Sequence, residues 1–142
     1  MSDYYKDLQK VKADKLNKIQ QMVFINNNLM WQDETLNKEK KLNRLEFKVY
    51  CRNLELANRN DWRVPTYDEL LTLVDYNKIV PASLDKIQYI IPSIYWTSTQ
   101  DIRKKDKNWF VDFRYGTSDT SSDLKRHYIR CVRDISTKKG TY

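Results

Sequence analysis

The chain has 142 residues, of which 40% are hydrophobic and 32% charged, so it is long enough to bury a core and too apolar to be disordered. No apolar run approaches the ~20 residues of a membrane-spanning helix, and we therefore expect no membrane insertion. The net charge of +7 favours anionic partners, namely nucleic acid, acidic glycans, acidic lipids or acidic proteins. A genome biased toward Lys and Asn would explain the same charge equally well.

Residues 1–21 are predicted to form a helical lead-in, because apolar residues recur among many lysines at spacings near three and four: Tyr4, Leu8, Val11, Leu16 and Ile19. This helix is either a solvated element packed on the side of the domain or an element that binds a partner. The N-terminus is polar and lacks the apolar region of a signal peptide. The protein is therefore either cytoplasmic, or its signal peptide is absent from this sequence.

The domain itself, residues 22–135, is predicted to begin with a hairpin and a helix. Residues 22–25 and 29–31 are apolar and flank three consecutive asparagines, a pattern typical of strand, turn and strand. Residues 36–57 carry apolar side chains at intervals near 3.6, which predicts a helix with Cys51 on or beside its buried face.

The next part of the chain is a corner between two helices. Pro65 lacks an N–H and holds the residue before it extended, so it ends any preceding helix. Thr66 is then a natural N-cap, and Glu69 follows three residues later, as in a capping box. We expect Trp62 to pack in the core and Arg63 to be tied to a carboxylate or to carbonyl groups.

The C-terminal half is predicted to contain strands joined by polar loops. We expect an irregular segment over 76–93, strands over 95–99, 109–113 and 127–133, loops over 101–107 and 117–124, and a loose basic tail over 136–142. The apolar positions of these elements predict the following core: Trp31, Leu54, Trp62, Leu70, Leu73, Trp96, Trp109, Phe113, Ile129 and Val132.

Five short sequence blocks come in a fixed order: Leu29-Met30-Trp31-Gln32-Asp33, Tyr50-Cys51-x-Asn53-Leu54, Asp61-Trp62-Arg63-Val64-Pro65-Thr66-x-x-Glu69-Leu70, Tyr95-Trp96-Thr97-Ser98-Thr99 and Arg130-Cys131-Val132-Arg133. This order resembles the domain family named for the C-terminal domain of the Lcl collagen-like adhesin, and it covers nearly the whole chain. The resemblance implies an α+β, C-type-lectin-like fold, with two helices packed on a mainly antiparallel twisted sheet. It implies no known catalysis and fixes no ligand.

The resemblance also implies a disulfide between Cys51 and Cys131, because a cysteine on the first helix of such folds commonly bridges one on the last strand. The alternative is a pair of reduced thiols in the core. A disulfide would indicate an oxidising compartment. The expected location is then periplasmic, cell-surface or secreted, while reduced thiols would leave a cytoplasmic location open.

Local sequence gives no pattern for catalysis or for a bound cofactor. The chain has one histidine, His127, and no cluster with the ligand spacing of a zinc site. The motifs by which calcium-dependent lectins chelate sugars are absent, although Asp112, Asp119 and Asp123 could donate oxygens to a cation. We therefore expect no metal, no cofactor and no enzyme activity.

The strongest functional candidate is a surface rich in cations and aromatic rings around the ends of the last strands. Arg forks and Lys charges suit sulfate and carboxylate groups. The predicted ligand-binding residues are Arg103, Lys104, Lys105, Lys107, Arg114, Tyr115, Lys125 and Arg126. They favour an adhesin-like, non-catalytic module that binds an acidic or sulfated glycan or a surface protein. The alternative is a protein-interaction or assembly module that uses the aromatic face and the N-terminal helix; without a recognition motif, nucleic acid is not an expected partner.

Overall fold

The structure, a computed structural model, describes residues 3–20, 22–34 and 40–135. It confirms the α+β class, and the predicted basic tail over 136–142 lies outside the described residues. In chain order the elements are α1 (Asp3–Gln20), β1 (Val23–Asn26), β2 (Leu29–Gln32), α2 (Arg44–Asn53), α3 (Tyr67–Leu71), β3 (Ile94–Gln100), β4 (Lys107–Asp112), β5 (Thr117–Ser122) and β6 (Val132–Asp134).

The strands form two antiparallel sheets of three strands each, in the orders β1-β2-β6 and β3-β4-β5. In the first sheet, β1 and β2 form the predicted hairpin. Its two turn residues, Asn27 and Asn28, have φ values of 52° and 61°, which asparagine tolerates better than most residues do. Strand β6 then pairs with β2, and Val132 lies opposite Trp31.

The prediction of a loop over 117–124 is wrong for residues 117–122, because these form strand β5 of the second sheet. The segment is rich in Ser, Thr and Asp, but β4 supplies it with a complete ladder of partners, from Lys107 opposite Ser122 to Asp112 opposite Thr117. Gly116, with φ of 77°, makes the turn between the two strands, and an added Cβ there would lie 3.0 Å from Val74.

The last predicted strand, over 127–133, is shorter than expected and explains why there are two sheets rather than one. Residues 127 and 128 make only isolated bridges, His127 with Leu42 and Tyr128 with Tyr95. The chain then crosses to the first sheet and becomes β6. Because this segment changes its partners along its length, it cannot belong to one continuous ladder.

The first predicted helix of the domain, over 36–57, is also shorter, since α2 spans Arg44–Asn53. Leu42 is held extended by its two backbone hydrogen bonds to His127, at 2.8 and 3.0 Å, so it cannot be helical. Asn43 caps α2, and Glu46 completes a capping box with it. Helix α3 has the capping box of Thr66 and Glu69 and ends after Leu71.

Two clusters of buried side chains form the core. One lies around Trp31, Leu70 and Leu73, and the other around Phe47, Trp62 and Trp96. Of the predicted core residues, those fully or nearly buried are Trp31, Trp62, Leu70, Leu73, Trp96, Phe113 and Val132. Leu54 and Ile129 are partly buried against the second cluster, and Trp109 is half-buried against Tyr67, outside both.

The irregular segment over 76–93 is fixed by a buried carboxylate. Asp33 accepts hydrogen bonds from the backbone N–H groups of Gln88 and Tyr89, both at 2.9 Å. It also pairs with the equally buried Arg130 at 3.3 Å, and Arg130 donates to the carbonyls of Gln32 and Tyr89. The two charges therefore pair inside the protein, where only the Nε of Arg130 has no partner among the described residues. Through Asp33, a long segment without regular structure is attached to β2.

The predicted disulfide is confirmed between Cys51 and Cys131, whose Cα atoms are 5.6 Å apart. Replacing both residues with alanine should lower the free energy of unfolding by about 2–4 kcal/mol, because the bond joins positions 80 residues apart and restricts the unfolded chain. Urea unfolding measures the change, and reduced wild-type protein is the control that keeps the side-chain volume. Equal stability of the oxidised and reduced proteins would contradict this expectation.

The ion pair at the start of α3 predicts a pH dependence of stability. Arg63 donates to both carboxylate oxygens of Glu69 at 2.8 Å, which lowers the pKa of Glu69 below its ordinary value of 4.5. A carboxylate with a lowered pKa stabilises the fold above its unfolded pKa, and this contribution is lost as the pH falls through the folded pKa.

We expect Glu69→Gln to cost about 1 kcal/mol at pH 7 and almost nothing at the acid end of the transition, where wild-type Glu69 is already protonated. Thermal unfolding of the wild type and the variant at several pH values between 7 and 3 measures this difference in stability. The matched control is Asp68→Asn, since Asp68 is exposed and forms no ion pair within the described residues. A cost of Glu69→Gln that does not change with pH would exclude the ionic contribution.

Candidate functional site

Six of the eight predicted ligand-binding residues lie at one end of the second sheet, which we call the basic end: Arg103, Lys104, Lys105, Lys107, Lys125 and Arg126. The first four belong to the β3–β4 loop and the start of β4, and the other two follow β5. The two groups are neighbours because Lys107 lies opposite Ser122. The N–H of Asp123 also donates to the carbonyl of Asp106 at 2.9 Å.

Arg114 and Tyr115 are not part of the basic end. They lie in the β4–β5 turn, beyond the opposite end of β4, about 20 Å away along that strand. The Arg114 guanidinium donates to both oxygens of Asp112, at 3.0 and 2.7 Å, which lowers the pKa of Asp112. Its charge is therefore compensated within the turn.

The cations of the basic end differ in whether a carboxylate side chain forms an ion pair with them. Arg126 donates to both oxygens of Glu46, at 3.0 and 3.2 Å, and the pKa of Glu46 is lowered mainly by these hydrogen bonds. Four other cations are exposed and form no ion pair with any residue of the described ranges: Arg103, Lys104, Lys105 and Lys125. These four carry the uncompensated positive charge of this surface together with the half-buried Lys107, which also forms no ion pair with the described residues.

A pocket of about 370 Å³, which we call the α2 pocket, lies between α2, the corner after it and strands β3 and β4. Phe47, Trp62 and Val64 line its inner side, but they belong to the core and are only 2%, 3% and 8% exposed. Ser98 and Asn108 belong to its wall. Our sequence interpretation missed this pocket, because its lining comes from residues that are distant in sequence, of which only Trp62 was assigned to the core.

The rim of the α2 pocket on the helix side is basic. Arg44, Lys48 and Arg52 follow one another at intervals of four residues, so successive Cα atoms on this face are about 6 Å apart. Lys48 and Arg52 are exposed and have no ion-pair partner in the part of the chain that the structure describes. The spacing is visible in the sequence, but it was not among the features from which we predicted a site.

Arg44 connects the rim to the basic end. Its guanidinium donates to the carbonyl of Lys105 at 3.3 Å and lies 3.5 Å from a carboxylate oxygen of Asp123. The α2 pocket and the basic end therefore form one continuous surface. On the opposite rim, Arg63 is fully engaged by Glu69 and Asp134, and these two carboxylates raise its pKa.

The wall of the α2 pocket contains a polar side chain with an unused acceptor. Asn108 is 1% exposed, and its amide nitrogen donates to the carbonyl of Thr97 at 3.1 Å. Its Oδ1 atom has no hydrogen-bond partner among the residues described. A buried acceptor without a partner is costly, and because this atom is enclosed, its cost is borne by the fold itself.

The model of the Lcl C-terminal domain family matches residues 25–133, which is most of the chain. The chain belongs to the Lcl C-terminal domain family. A comparison with curated proteins gave no match. All five sequence blocks, the α2 pocket and the basic end lie within the matched residues, whereas α1 precedes them. The two antiparallel sheets and their helices are compatible with the C-type-lectin-like fold that the family resemblance implies.

In this Lcl C-terminal domain, His127 is a packing residue of the second core cluster. Its ring is half-buried beside Trp96, at 4.7 Å between centroids, and its Nε2 is 2.9 Å from the hydroxyl of Ser121. Burial, and to a smaller extent the charges of Lys41 and Lys125, lowers the pKa of His127. No carboxylate of the described chain hydrogen-bonds to it, so the ring lacks the orienting partner that a catalytic histidine uses.

Neither a metal cluster nor a membrane helix occurs within the described ranges. No three His, Cys, Asp or Glu side chains there are placed to hold an ion. No helix there combines the length and the apolar character that crossing a bilayer requires.

Proposed function

We propose that this Lcl C-terminal domain is a non-catalytic, adhesin-like module that binds acidic glycans on its basic end. The observation that carries the proposal is the group of four unpaired, exposed cations: Arg103, Lys104, Lys105 and Lys125. Sulfate and carboxylate groups along a glycan chain are matched by such spaced charges. A flexible, charged polymer can contact several of these side chains at once, so that individually weak contacts add up.

The proposed place of action is outside the cytoplasm: the periplasm, the cell surface or the surroundings of the cell. The disulfide between Cys51 and Cys131 is compatible with this, because disulfides persist mainly in oxidising compartments. A surface location would also place the basic end in contact with acidic polysaccharides.

A second candidate is a protein-interaction or assembly module that uses α1. One specific observation favours it: Tyr4, Leu8 and Val11 are spaced as on one helical face, and 76%, 38% and 62% of their surfaces are exposed. An apolar face of this kind is usually covered by a partner. Under this proposal the positive charge results from the overall amino-acid composition and has no role in binding. Deletion of α1 would then abolish binding to the partner protein.

Removing the charge of the basic end tests the first proposal. We expect Lys104→Gln/Lys105→Gln/Lys125→Gln to weaken binding to a sulfated polysaccharide about tenfold at physiological salt, since each exposed ion pair contributes about 0.5 kcal/mol. Biolayer interferometry against sulfated, carboxylated and neutral polysaccharides measures the change.

The matched control is Lys6→Gln/Lys10→Gln/Lys12→Gln, which removes the same charge from exposed positions of α1. It should leave the affinity within about twofold. An equal loss of affinity in both triple variants would mean that the interaction depends only on the net charge of the protein. The absence of any binding by the wild type would make the α1 interaction module the better account.

A further inference from the structure

We infer that the basic end docks onto the surface of a lipid bilayer that carries anionic headgroups. This inference goes beyond glycan binding and does not depend on it, because a bilayer offers an apolar layer beneath its charges and a polysaccharide does not. Docking of this kind is peripheral: a few side chains enter the headgroup region, and no helix needs to cross the bilayer. The inference is carried by the exposed aliphatic side chains that lie among the unpaired cations.

Three aliphatic side chains at and beside the basic end are highly exposed. Ile102 is 92%, Leu124 83% and Leu45 80% exposed, and these are the highest values among the large hydrophobic side chains of the described residues. A single exposed aliphatic residue is common, but these three share one end of the domain with the unpaired cations. Sulfate and carboxylate groups do not bind to aliphatic side chains, so glycan binding leaves this exposure unexplained.

Backbone hydrogen bonds join the three segments that carry these side chains. The N–H of Asp123 donates to the carbonyl of Asp106 at 2.9 Å, which joins the turn after β5 to the β3–β4 loop. The N–H of Arg44 donates to the carbonyl of Asp123 at 3.2 Å, which joins the start of α2 to the same turn. Because each aliphatic residue lies in one of these segments, one connected part of the surface presents all three.

The unpaired cations of the basic end lie directly beside the aliphatic residues in sequence. Residues 103–105 follow Ile102, and Lys125 follows Leu124. A bilayer with anionic lipids attracts such side chains because its surface potential is negative. Lys and Arg also suit the headgroup region, since their aliphatic stems contact apolar groups while their charged ends stay in water. The combination of charge and exposed aliphatic surface therefore matches an anionic bilayer.

The carboxylates of this end do not cancel the attraction. Two of them are already in ion pairs, Asp123 with Arg44 at 3.5 Å and Glu46 with Arg126 at 3.0 Å. Two further carboxylates belong to the segment from the β3–β4 loop to the start of β4, where the unpaired cations outnumber them: Asp101 and Asp106. The surface that would face the headgroups therefore remains positive.

The test is a flotation assay of the full chain with lipid vesicles. The wild type should bind vesicles of phosphatidylcholine with about one-third phosphatidylglycerol and should not bind vesicles of phosphatidylcholine alone. Ile102→Ser/Leu124→Ser should weaken binding to the anionic vesicles about tenfold, because two side chains no longer remove apolar surface from water. The urea unfolding midpoint of this variant should equal that of the wild type, since both side chains are exposed.

The matched control is Ile25→Ser/Ile79→Ser, which removes two aliphatic side chains that are 54% and 68% exposed outside the basic end. It should leave binding to the anionic vesicles unchanged. Full binding by Ile102→Ser/Leu124→Ser, or an equal loss in both double variants, would overturn the inference. No binding by the wild type, or equal binding to neutral and anionic vesicles, would overturn it as well.

Failure of this inference is distinguishable from failure of the proposed function, because the two ligands use different side chains. Lys104→Gln/Lys105→Gln/Lys125→Gln should weaken binding to both the polysaccharide and the vesicles, whereas Ile102→Ser/Leu124→Ser should weaken binding to the vesicles alone. A protein that binds the sulfated polysaccharide but no anionic vesicles would keep the glycan module and exclude docking on a bilayer. Vesicle binding without polysaccharide binding would keep the docking surface and exclude the glycan module.

Discussion

The disulfide between Cys51 and Cys131 is the constraint around which the other elements are arranged. Cys51 lies on the buried side of α2, and Cys131 ends the segment that crosses from the second sheet to the first, directly before β6. Val132, the first residue of β6 in the first sheet, exchanges two backbone hydrogen bonds of 2.8 Å with Arg63, whose side chain holds the start of α3 through Glu69. One covalent bond between positions far apart in sequence thus brings α2, the corner and the first sheet to a common junction.

The same junction positions the α2 pocket. Phe47 precedes Cys51 by one helical turn, and Trp62 and Val64 flank Arg63, so the inner side of the pocket is built from neighbours of the junction residues. The rim cations extend from the exposed side of the same helix. The helix that carries these cations is therefore held in place by the core and the disulfide beneath it.

The sequence predicted those features that depend on local chemistry and missed those that depend on distant partners. The start of α3 was predictable, since Thr66 and Glu69 form their capping box within four residues. The start of α2 was not, because Leu42 continues the helical period but forms an isolated bridge with His127, 85 residues later. The positions of the cations were likewise predictable, but their partners were not: Arg114 is compensated by Asp112, and only the fold shows which lysines stay free.

The central claim is that an acidic glycan binds to the basic end. A crystal structure or a backbone amide shift map of the chain with a sulfated, uronic-acid-containing tetrasaccharide tests it most directly. We expect contacts or shift changes confined to residues 101–107 and 122–126 and to the adjoining start of α2. Changes centred on residues 3–12, or spread evenly over all basic surfaces, would contradict the claim.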